Sequence, residues 1–194
     1  MRALSGFPLL ISLAAGALVV LAAPSARAAT TIKNPRQHIN YAVELEPHLN
    51  FGFFHYRDYG LRGRDPYYTY LEFGAGFRAT IPIVDPGFVP SINDSVGITF
   101  GADITGCSSS YCNDYTHLRF PVGIQWNFWV TQAFSAFGDI GFNLGVDAGR
   151  GPYGGVYPDF FLMVGGRYLF TNKVGLTFRI GYPFVTVGVS FFAG

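Results

Sequence analysis

Residues Ala133–Asp147 read A-F-S-A-F-G-D-I-G-F-N-L-G-V-D. Phe134, Ala136, Ile140, Phe142, Leu144 and Val146 share one phase of a two-residue repeat, while Asp139 and Asp147 share the other. Side chains alternate across a strand with period two, so the stretch predicts a β-strand with one apolar and one polar face. The same pattern predicts further strands over Asn40–Phe54, Tyr70–Ile83, Ser95–Thr105, His117–Val130, Phe160–Phe170, Val174–Tyr182 and Phe184–Phe192. Every charged residue inside these runs keeps to the polar phase. They are Glu44, Glu46, Glu72, Arg78, Asp103, Arg119, Asp139, Asp147, Arg167 and Arg179, joined by His48 and His117. No segment carries a convincing 3.6-residue period.

The first residues read as an export signal rather than as part of the fold. Arg2 gives a positive start, Leu9–Ala23 an apolar stretch, and Ala26-Arg27-Ala28 a small-x-small cleavage site. The stretch is short for a spanning helix and is interrupted by Gly16 and Pro24. Cleavage after Ala28 would leave a short N-terminal segment, 29–39, and one domain, 40–194. Loss of Arg2 and Arg27 leaves eleven Lys+Arg against twelve Asp+Glu, a charge of −1, and nothing in that balance favours nucleic acid. Charged residues are only 13% of the chain and aromatics 18%. A soluble domain carries about a quarter charged residues. An exported chain this apolar, with no second stretch long enough for a spanning helix, can satisfy its backbone in lipid as a closed barrel.

The connections divide into two sets. His55–Thr69, Gly106–Thr116, Ala148–Asp159 and a tight turn at Pro183 lie at one end. Val84–Asp94, Thr131-Gln132 and Thr171-Asn172-Lys173 lie at the other. Transmembrane barrels pair long external loops with short periplasmic turns. The eleven-residue Val84–Asp94 connection and the tight turn at Pro183 depart from that pattern. Tyr41, Phe128, Phe134, Tyr168, Phe170 and Phe191 are expected on the outward phase at the turn end. Phe53, Tyr67, Tyr68, Tyr111, Tyr115, Tyr153 and Tyr157 collect at or beyond the loop end. Amphipathic rings favour a water–lipid boundary, which makes these two groups candidate girdles.

On its leading signal, alternation, candidate girdles and last strand Val185-Thr186-Val187-Gly188-Val189-Ser190-Phe191, the chain resembles the small eight-stranded outer-membrane barrels of the OmpA/OmpX-like class. The resemblance spans about Asn40 to Phe192. It implies an all-β fold, an eight-stranded antiparallel up-and-down transmembrane barrel. It also implies the outer membrane as location, and the barrel-assembly machinery as a partner during biogenesis. Such proteins usually end on an aromatic residue that this machinery reads; here Ala193 and Gly194 follow Phe192. Members often carry a peptidoglycan-binding domain after the barrel, and no such role is expected of this sequence.

Function turns on which face looks outward. In a soluble lipocalin-like barrel the apolar phase would line a cavity and the charges would face water. Against this, the polar phase holds only about one charge per strand, together with twelve glycines such as Gly52, Gly76, Gly123, Gly165 and Gly188. The apolar phase is bulky, with Phe73, Phe77, Phe100, Phe120, Trp126, Phe142 and Phe178. Eight strands enclose an interior that side chains nearly fill, so small residues fit inside better than a ring of aromatics. Lipid is therefore expected outside. The ten strand charges, with His48 and His117, are expected in a salt-bridged and largely plugged lumen. A narrow porin-like channel is the alternative, and the soluble binding barrel a further one.

Other candidate chemistry is sparse. Cys107 and Cys112 flank Ser108-Ser109-Ser110 in one external loop, and a disulfide is expected in an exported protein. Only His117 lies nearby as a nitrogen ligand, so no metal site is expected. His38, His48, His55 and His117 lie in no His-x-Ser arrangement like that of lipid A deacylases. Ser190 and His48 read as a lumen pair, and no catalytic residue or cofactor is expected. Arg57, Arg62 and Arg64 in the first loop could meet lipopolysaccharide phosphates, since guanidinium pairs well with phosphate. The expected partners are outer-membrane lipids and lipopolysaccharide, and the expected state is a monomer.

Overall fold

A computed structural model describes residues 29–57, 67–107, 115–149 and 155–194. Eight strands run in chain order: β1 Val43–Arg57, β2 Tyr67–Val84, β3 Asp94–Cys107, β4 Tyr115–Trp129, β5 Phe134–Gly149, β6 Gly155–Thr171, β7 Val174–Tyr182 and β8 Phe184–Ala193. Each pairs antiparallel with its sequence neighbours, and β1 pairs with β8 to close an up-and-down barrel. The fold class is the one the alternation and the resemblance imply.

Three ladders are irregular at a proline, which removes a backbone donor; the β2–β3 register shifts between Pro82 and Val84. Pairing of β3 with β4 passes from Phe100↔Val122 to Asp103↔Arg119 across Pro121. Pairing of β1 with β8 passes from Leu45↔Phe191 to His48↔Gly188 across Pro47. The two short turns are held by hydroxyls. Thr131 Oγ1 accepts from the N–H groups of Ala133 and Phe134, at 3.2 and 2.9 Å. Thr171 Oγ1 accepts from those of Lys173 and Val174, at 3.1 Å each. Local side-chain acceptors of this kind stabilise turns in place of ladder bonds.

The strands run longer at the loop end than the alternation indicated. β1 reaches Arg57, β2 starts at Tyr67 and β6 starts at Gly155. Arg57 is therefore a strand end rather than a loop residue. β6 contains Pro158, opposite Leu144 of β5. The polar and glycine-rich composition there marked a loop, but cross-strand pairing overrides local propensity. Arg62, Arg64 and Cys112 lie outside the described residues, and so does the expected bond between Cys107 and Cys112.

Candidate functional site

The charged phase faces inward. Glu44, Glu46, His48, Glu72, Arg78, Asp103, His117, Arg119, Asp139, Arg167 and Arg179 are all buried, and Asp147 is partly so. The opposite phase is exposed: Leu49, Phe73, Phe100, Val122, Ile140, Phe142 and Phe178 stand on the outer wall. Lipocalin-type polarity would require the reverse.

The lumen charges are stacked in tiers. Near the turn end, Arg167 Nη2 donates to Glu44 Oε2 at 2.6 Å, and Nη1 reaches Asn127 Oδ1 at 3.3 Å. The second Glu44 oxygen accepts from Ser190 Oγ at 2.6 Å. Ser190 thus serves Glu44, not His48. In the middle tier Arg179 Nε donates to Asp139 Oδ2 at 2.7 Å, and its Nη1 donates to Glu46. Arg78 lies more loosely between Asp139 and Asp103, at 3.7 and 3.9 Å. His48 Nε2 contacts Asp103 Oδ1 at 2.7 Å, where Asn50 Nδ2 also donates at 3.0 Å. Towards the loop end, Arg119 Nη1 donates to Glu72 Oε1 at 2.9 Å, and Thr105 Oγ1 bonds the same oxygen. Last come His117 Nδ1 and Tyr157 Oη, both on Asp147 Oδ1, at 2.6 and 3.1 Å. Tyr157 therefore turns into the lumen mouth rather than into a girdle.

Aromatic rings also face inward among these charges. Phe137, Phe161, Phe184 and Phe192 are buried in the lumen with Met163. Each guanidinium lies over one of these rings. Arg78 is 5.3 Å from the Phe161 centroid and Arg119 is 4.7 Å from that of Phe184. Arg167 and Arg179 lie 5.0 and 4.8 Å from Phe137. The strand glycines make room for the rings. A Cβ on Gly52 would lie 2.7 Å from Phe184 Cδ1, and one on Gly123 2.7 Å from Phe161 Cζ. The recurring unit is thus glycine, ring, guanidinium and carboxylate. Cation–π contact and ion pairing together hold each Arg. The signal was present in the sequence, since these rings fall on the charged phase.

The N-terminal segment caps the turn end. Thr31 N donates to Val130 O at 2.9 Å, and Asn93 N donates to Ile32 O at 2.7 Å. Behind it Tyr41, Trp129, Leu169 and Phe192 form an apolar layer, and His38 stacks on Trp129 at 4.9 Å. Tyr41 is buried here, not on the outer wall, and that burial pushes its phenol pKa up. Phe134, Tyr168, Phe170 and Phe191 do stand exposed at this end. Among the described residues, no group of His, Cys, Asp and Glu could hold a metal ion.

No family model matches the chain, and no curated protein does. Two solved structures of Ail, the attachment invasion locus protein of Yersinia pestis, are similar to it. One, in complex with the heparin analogue sucrose octasulfate, is 13% identical with a TM-score of 0.44, covering 77% of this chain and 97% of that one. The other is 10% identical with a TM-score of 0.44, covering 78% and 99%.

Proposed function

We propose that this protein is an integral barrel of a bacterial outer membrane whose lumen is closed by its own ion pairs. Its role is structural or is carried by its loops. The observation that carries the reading is the inverted polarity. The interior is charged, with each Arg beside a carboxylate, and the exterior is dominated by exposed Phe, Leu, Ile and Val on all eight strands. Strands of 9 to 18 residues are long enough to cross a bilayer, where tilted strands need about 9–11. In water such a wall would be a very large exposed apolar patch, which a soluble monomer does not carry. In lipid it is the solvent-matched face, and closure of the barrel leaves no open sheet edge.

The Arg–carboxylate tiers and the rings beneath them support an occluded lumen. The barrel acts without catalysis or cofactor. It works as a monomer, is inserted by the barrel-assembly machinery, and meets lipopolysaccharide through Arg57, Arg62 and Arg64. Outer-membrane fractionation after export tests the location, and heat-modifiable gel mobility tests the lipid-embedded barrel. A second reading, a narrow channel, draws on lumen atoms with no protein partner: Glu46 Oε2, Asp139 Oδ1, Arg78 Nε and Arg179 Nη2. Buried polar atoms of this kind call for water. Planar-bilayer recording separates the two. The plugged lumen predicts no stable large single-channel conductance, and such a conductance would establish the channel.

A further inference from the structure

The connection between β2 and β3 is longer than the other turn-end connections, and the lumen makes no use of most of it. Its organising group is Asp94, whose buried carboxylate accepts three hydrogen bonds. Gly87 N donates at 3.1 Å, Val89 N at 3.2 Å and Trp126 Nε1 at 2.8 Å. One carboxylate thus ties the turn to a residue of the outer wall. Phe88, between the two backbone donors, is placed on the outside, where it is exposed. It meets Trp126 edge-on at 5.4 Å, and Trp126 tilts against Phe128 at 4.6 Å. Beside them Gly138 of β5 stands in register between Trp126 of β4 and Val164 of β6. A Cβ there would meet nothing nearer than Met163 O at 4.0 Å. The result is a groove of about 330 Å³ in the outer wall, lined by Phe88, Trp126, Phe128, Gly138, Leu162 and Val164.

The geometry points to a seat for one hydrocarbon chain of an anionic phospholipid, in the leaflet nearer the turn end. This rests on the outer-membrane reading above. The groove is continuous with the apolar belt, and the three donors occupy the Asp94 carboxylate beside it. Lys33 supplies charge complementarity. It is exposed and follows Ile32, whose carbonyl accepts from Asn93, the neighbour of Asp94. A cation therefore stands on the same turn-end side as the Asp94 turn, where the group it would attract is a lipid phosphate. Lipid A occupies the opposite leaflet, so the occupant is phospholipid.

The test uses the mature chain in vesicles of phosphatidylethanolamine and phosphatidylglycerol. A phosphatidylglycerol with a diazirine in one acyl chain is the probe. After photolysis, adducts mapped by peptide mass spectrometry are expected to concentrate on Trp126, Phe128 and Val164, rather than on Leu49 and Phe51 across the barrel. Gly138→Leu fills the groove and should remove that concentration. Phe88→Ala removes the overhang without touching the wall and should weaken it, so it decides the matter should Gly138→Leu fail to insert. Adducts spread evenly around the belt, or unchanged by the variants that insert, would overturn the inference. Failure of the wild-type chain to insert would instead overturn the outer-membrane reading itself.

Discussion

Phe137 and Phe142 lie on the same strand and meet opposite environments. Phe137 is 3% exposed, with two guanidiniums over its ring and Gly165 beneath it, whereas Phe142 is 73% exposed on the outer wall. The difference shows two kinds of specification within one ladder. On the membrane reading proposed above, an outward side chain needs only to be apolar, because lipid makes few geometric demands. An inward one must match particular partners, because a buried charge without its counter-ion is costly.

Removing a lumen cation should separate the two walls most sharply. Arg179→Met leaves Glu46 and Asp139 without their closest cation. We expect a loss of about 3–5 kcal/mol, read as a lower urea midpoint in vesicles. A midpoint within error of wild type would mean that water, not Arg179, satisfies those carboxylates. The complementary change puts a charge on the outer wall. Val122→Arg, midway along β4, should cost about 2–4 kcal/mol in vesicles, the figure for a cation near the bilayer midplane. A neutral effect would break the lipid-facing assignment.

A smaller effect tests the glycine–ring–guanidinium unit. A Cβ on Gly165 would lie 2.5 Å from Phe137 Cε2 and 2.6 Å from Phe178 O. Gly165→Ala should cost about 1–3 kcal/mol by overpacking. Part of that cost should vanish in a Phe137→Leu background, and strict additivity in the double-mutant cycle would show that the ring is not the obstacle. The smallest effect belongs to the outer wall: Leu144→Ile should change the unfolding midpoint by no more than about 0.5 kcal/mol.

Much of this was legible in the residues because its cause is local. Alternation in Ala133–Asp147 sets strand and face together, since consecutive side chains must leave opposite sides of a pleat. That placed Glu44, Glu46, Glu72, Arg78, Asp103, Arg119, Asp139, Asp147, Arg167 and Arg179 on one side before any tertiary contact was considered. The same rule put Phe137, Phe161 and Phe184 there too, but a ring on a polar face has no local reason to be noticed. Its reason is a guanidinium carried by another strand. Tyr41 departs from the outward phase for a similar cause: it precedes β1, where period two no longer applies and packing on Trp129 and Phe192 decides its direction.

The sequence by itself determined that the chain makes strands, that each strand has a charged and an apolar face, and where the two short turns fall. These follow from backbone geometry and from side chains within a few residues. Only the tertiary structure decided which charges meet. Arg167 finds Glu44 across 123 residues and Arg179 finds Glu46 across 133, both through closure of β1 onto β8. It also decided that the long turn before Asp94 ties itself to Trp126, and that the N-terminal segment caps the barrel mouth. Such pairings depend on register and closure, which belong to the barrel as a whole and are written in no single stretch of it.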